Sequence, residues 1–108
     1  MEQFPSIEQK KIEKQEVLER LRLTGMENEE TMALVLKWRA EREEEVMKEN
    51  TPKATIILNI EMADLYVAAG DKDGALESLQ DAHYQAIQEN ETELQERIAT
   101  KIQEIEAE

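Results

Sequence analysis

The chain of 108 residues has no cysteine, so disulfides, thiolate nucleophiles and cysteine-held metals are excluded. Three glycines and two prolines are too few for a loop-rich fold or a glycine-rich phosphate cradle. Aromatic residues make up 4% of the chain, and no run of alternating β-branched residues reads as a strand. No apolar run approaches the ~20 residues of a membrane span, and the first residues carry no basic-then-apolar leader. Positive charge is also scarce. Thirteen Lys and Arg face 26 Asp and Glu, a net charge of −13. Residues 1–50 carry 9 bases against 13 acids, and residues 51–108 carry 4 against 13, so the second half holds most of the excess. Such a surface repels a phosphate backbone and an anionic membrane, which argues against both as partners. A basic or amphipathic protein partner fits better, although acidity also serves solubility. The expectation is a soluble cytoplasmic protein.

What remains is rich in Glu, Lys, Gln, Ala and Leu, all good helix formers. The fold class expected is all-α, a single domain over residues 1–108 with about five helices. A chain this long buries roughly two-thirds of the surface its unfolded form exposes. The first helix is expected from the N-cap Ser6, with Gln9 three residues on, to Leu23 before Gly25; its stripe is Ile7, Val17, Leu18 and Leu21. Its polar first half is weakly anchored. A second runs from Asn28 to Glu49, with Met32, Val35, Leu36, Val46 and Met47 on one face and Arg39 and Glu43 spaced to pair. Residues 6–49 thus form an N-terminal helical pair. Leu34 and Trp38 make a separate ridge, either a partner contact or a surface packed under the first helix.

Thr51-Pro52 ends the second helix and starts a third that runs to Ala69. Between Thr55 and Ala69 only Thr55, Asn59, Glu61 and Asp64 are polar, and they do not gather on one side. A helix of this kind is buried on more than one face. Gly70 and the Asp71-Lys72-Asp73-Gly74 stretch make the next turn, and a fourth helix follows from Lys72 or Asp73 to Gln88. The last helix, residues 91–106, carries a narrow stripe of Leu94, Ile98, Ile102 and Ile105 and is charged elsewhere, as a capping helix would be.

Within residues 52–89, Met62, Ala63 and Tyr66 precede a Gly70-Asp71 turn, and Ala75, Leu79 and Ala82 follow it. In this arrangement, small residues where two helices cross and large ones beside them, the window Ile56 to Glu89 resembles one tetratricopeptide repeat. Asn59 stands where a large apolar residue is common, and Ile87 where a closing proline is common. Shifting the window by 34 residues recovers no second copy. A lone repeat cannot bury its own faces, so the N-terminal pair stands in for one neighbour and the last helix caps the other side, unless a second copy of the chain supplies the surface.

The resemblance implies a protein-binding module, adaptor or chaperone-like. Its ligand surface would lie on the third helix at Ile57, Ile60, Asp64, Val67 and Ala68, with Asp64 receiving a basic side chain. Residues 6–49 either fold over this surface or leave it open; for so short a chain the first is expected. Ile60 and Asp64 lack the donors needed to hold a C-terminal carboxylate. The alternative is a self-assembling structural protein, a homo-oligomer with no separate ligand, using Leu34 and Trp38 in a symmetric interface.

No cofactor is implied. Asp71, Asp73 and Gly74 fit the middle of a calcium loop, but Ala69 and Gln80 fall where its first aspartate and its bidentate glutamate belong, so no metal is expected. His83 is the only histidine, with no nucleophile at helical spacing, and catalysis finds no support. An enzyme is not expected.

Overall fold

The computed structural model describes residues 11–108, which form five α-helices with no strand among them. They are α1 (Lys14–Thr24), α2 (Glu29–Glu49), α3 (Pro52–Ala68), α4 (Lys72–Gln88) and α5 (Thr92–Glu106). Each of the three middle helices starts at a side-chain cap. Asn28 Oδ1 accepts from the Thr31 amide, Thr51 Oγ1 from the Ala54 amide, and Asp71 Oδ1 from the Gly74 amide at 2.9 Å. A cap of this kind is worth about 1 kcal/mol, because it satisfies an amide the helix itself leaves unpaired. Termination is equally local. Asn50 and Gly70 adopt positive φ, at 54° and 82°, so the chain reverses out of α2 and α3 within two or three residues.

The expected N-cap Ser6, with Gln9 and Ile7, lies outside the described residues. Among those described, residues 11–13 are not helical, so α1 begins at Lys14, later than expected. The cause is a competing attachment: the Ile12 amide donates to the Glu41 carboxylate, and Lys11 pairs with Glu45. Lys11 and Ile12 are tied to α2 through its side chains, and helical hydrogen bonding starts at Glu13, whose carbonyl accepts from the Val17 amide.

Two cores share α3. Ile56, Ile60 and Ala63 face α4 and α5, where they meet Ala75, Leu79, Ala82, Ala86, Leu94, Ile98 and Ile105. Leu58 and Leu65 face the other way, into a cluster with Val17 and Leu21 of α1 and Val35 and Trp38 of α2. The scatter of polar residues around α3 has its explanation here, since a helix between two cores needs apolar groups on opposite sides. Ala63, Ala75, Ala82 and Ala86 are at most 1% exposed. Their small side chains let α3 and α4 approach closely. Asn59, polar at a position near this crossing, is accommodated by donating to Gln85 at 2.8 Å.

The face expected for α2 is partly wrong. Leu36 and Met47 are 60% and 77% exposed, and the buried residues are Thr31, Val35 and Trp38. Trp38 has the most apolar surface to remove from water, and the Thr31 hydroxyl is satisfied inside by Thr24 at 2.8 Å. Together these rotate α2 away from the Leu36–Met47 stripe. The Arg39–Glu43 pair forms as expected, at 3.1 Å on the exposed side.

Candidate protein-binding surface

The side of α3 between α1 and α5 carries Asp64. Lys14 of α1 reaches its Oδ2 at 2.7 Å, and Lys101 of α5 reaches its Oδ1 at 3.0 Å. One carboxylate therefore holds three helices that are distant in sequence. Burial pushes the Asp64 carboxyl up, but the hydrogen bonds from Lys14 and Lys101 outweigh it and hold the group below the usual carboxylate range. A second ionic cluster sits at the start of α1. Arg42 bridges Glu61 of α3 and Glu45, and Lys11 joins at Glu45, whose carboxyl the Lys11 and Arg42 hydrogen bonds hold low.

Beside Asp64 a cleft of 170 Å³ opens between α3 and α5. Its floor is the buried Ala63, Leu79 and Ile105, with the exposed Val67 beside them, and its rim is Asp64, Lys101, Glu104 and Glu108. A second depression of 280 Å³ shares Val67, Ile105 and Glu108 and extends to Gly70 and Lys72. The continuous surface has an apolar strip a few side chains wide with charges of both signs along its edge. Such a surface can seat an apolar side chain and fix its neighbours by hydrogen bonds. Among the described residues no group of three or more His, Asp or Glu side chains is placed to hold a metal ion, and His83 is half-buried.

Of the residues expected on the ligand surface, Val67 is there, 42% exposed in the cleft. Ile57 is half-buried against the α4–α5 core, and Ala68 against the opposite one. Ile60 is corrected: it is 0% exposed, because α4 and α5 close over it, and it touches no partner from this position. Asp64 is corrected in role, since Lys14 and Lys101 of its own chain already occupy both carboxylate oxygens. Trp38 is corrected as a surface contact: it is 2% exposed in the α1–α2–α3 core, where Leu34 packs against it partly buried. Among the described residues, those before α3 meet the expected surface at Asp64, through Lys14, and at Ala68, which packs against the α1–α2 core, and none of them lines the cleft toward α5.

Lys101, Glu104, Ile105 and Glu108 were not anticipated in this surface. Lys101 did leave a trace in the sequence. It falls between Ile98 and Ile105 on the apolar stripe of α5, where a cation needs a carboxylate across the interface.

No helix among the described residues is long and apolar enough to cross a membrane. No family model, no curated protein and no solved structure matches this chain.

Proposed function

We propose that this chain is a helical protein-binding module, adaptor or chaperone-like, that takes a segment of another protein in the α3–α5 cleft. The observation that carries the reading is Val67, a β-branched residue 42% exposed over a floor of buried Ala63, Leu79 and Ile105. The surrounding construction supports it. The α3–α4 hairpin crosses on small residues, as in the repeat its sequence resembles, and α5 presents its apolar stripe inward and charge outward. The cleft then lies on the first helix of the hairpin, where the resemblance implies a ligand. In this reading the ion pairs at Asp64 fix the cleft wall and leave Val67 and the α5 carboxylates to meet the ligand.

Val67→Arg tests this in the full-length chain. The substituted side chain is exposed, so the fold survives, which circular dichroism checks. A partner that co-purifies with the wild-type chain in stoichiometric amount and is lost from the variant supports the cleft. A partner retained equally by the variant removes the cleft from the account.

A second reading rests on α2, where Leu36 and Met47 lie three turns apart on one exposed stripe. Two copies could bury this stripe against each other in a homo-oligomer. Sedimentation of the wild-type chain against a Leu36→Glu, Met47→Glu variant separates the two readings.

A further inference from the structure

The outward side of α4 bears a ridge that neither core uses. Its inward side is Ala75, Leu79, Ala82 and Ala86, all 0% exposed. Turned away from these are Asp73, Glu77 and Asp81, then Tyr84 and Ile87, spaced three or four residues apart so that each stands about one turn beyond the last. Tyr84 keeps 64% of its surface in water and Ile87 50%. The Tyr84 hydroxyl accepts from the Gln88 side-chain amide at 3.2 Å, which holds the ring against its own helix. Among the described residues Asp73, Glu77 and Asp81 make no ion pair, whereas Glu43, Glu44, Glu45, Glu61 and Asp64 on α2 and α3 all do.

We infer that this ridge docks a basic amphipathic helical segment of another protein. An apolar pair on that segment packs on Tyr84 and Ile87, and Lys or Arg residues one to three turns along it meet Asp81, Glu77 and Asp73. Charge complementarity selects this occupant. The chain carries −13, and only four bases lie in residues 51–108 against thirteen acids. A second copy would bring a surface of the same sign against this one, and an acidic segment would do likewise. A cationic helix neutralises them while its apolar side covers an exposed aromatic, the kind of residue that anchors interfaces. The ridge shares no residue with the α3–α5 cleft, so it stands or falls apart from the function proposed above.

The test is a titration of the isotope-labelled full-length chain with a designed leucine/lysine amphipathic helical peptide, and with its leucine/glutamate counterpart, followed by amide chemical shifts. The lysine peptide should shift the amides of α4, and the glutamate peptide should shift none. The variant Tyr84→Ser, Ile87→Ser should bind the lysine peptide roughly tenfold more weakly or worse. Raised salt should weaken binding to the wild-type chain further. Val67→Arg should leave the affinity unchanged, which separates a failure here from a failure of the cleft. Equal binding by the double variant would reduce the effect to diffuse attraction and overturn the inference. Shifts confined to the cleft, or no binding, would overturn it as well.

Discussion

Replacing Asp64 by Asn removes one negative charge from between two lysines while keeping the side chain's shape. The wild-type carboxylate accepts from Lys14 at 2.7 Å and Lys101 at 3.0 Å, with all three side chains a quarter to a third exposed. At an effective dielectric constant near 20, each contact is worth about 6 kcal/mol of Coulomb attraction before desolvation is set against it. Taking three partly exposed charges from water returns most of that, and charge-assisted hydrogen bonds of this kind come out at about 1–2 kcal/mol each. Asp64→Asn should therefore destabilise the fold by about 2–3 kcal/mol near pH 7, and it leaves two lysines facing each other. The pH dependence fixes the cause. A carboxyl held low in the folded state contributes stability that is fully present above its unfolded pKa of about 4. That stability is lost as pH falls through the folded value. Urea unfolding followed by far-ultraviolet circular dichroism should show the gap between wild type and variant narrowing steadily below about pH 4. Comparing the two chains at each pH cancels the titration of the other carboxylates. No gap at neutral pH, or a gap that stays constant from neutral to acid, would mean that the ionised carboxylate is not what Asp64 contributes, and the ionic account of the three-helix junction would be refuted.

Ile60→Ala should cost about 2–5 kcal/mol in the same unfolding assay, since Ile60 is 0% exposed in the core shared by α3, α4 and α5; a loss under about 1 kcal/mol would show that the core collapses around it. Gly74→Ala, in the first turn of α4, would ordinarily gain about 1 kcal/mol of helix propensity. Here an added Cβ would stand 2.6 Å from Asp71 Oδ2 and 2.9 Å from the Tyr66 ring, so the substitution should lower the melting temperature by disturbing the cap; a raised melting temperature contradicts the crossing described. Leu36→Glu with Met47→Glu should change monomer stability by no more than about 0.5 kcal/mol per site, because both side chains are mostly in water. A loss that grows with protein concentration would instead reveal a buried interface on α2.

The starts of α2, α3 and α4 were the most legible part of this fold, because local chemistry writes them. Asn28, Thr51-Pro52 and Gly70-Asp71 each combine a cap or a left-handed residue with the start of an apolar pattern, and α2, α3 and α4 begin within a residue of where those signals stand. The double burial of α3 was legible for the same reason, from its own composition. The orientation of α2 was not. Its apolar residues span a wide arc, and periodicity gives no weight to Trp38 over Leu36 and Met47; the choice is made by α1, whose Val17 and Leu21 meet Trp38 in the core. The candidate surface was legible on α3 and blank beyond it. Val67 follows from the repeat-like pattern, but Lys14 and Lys101 stand 50 and 37 residues from Asp64, and no period in the chain connects them. Ile60 was misread because its burial depends on how α4 and α5 pack on α3, which the spacing within α3 does not specify.

The most direct test of the binding role is photocrosslinking from within the cleft. A photoreactive amino acid placed at Val67, and as a control at the outward-facing Glu96 of α5, would be activated in the source cells and the products identified by mass spectrometry. A single foreign protein attached at position 67 and absent at position 96 is the result the account predicts. The same products from both positions, or attachment only to further copies of this chain, would contradict it.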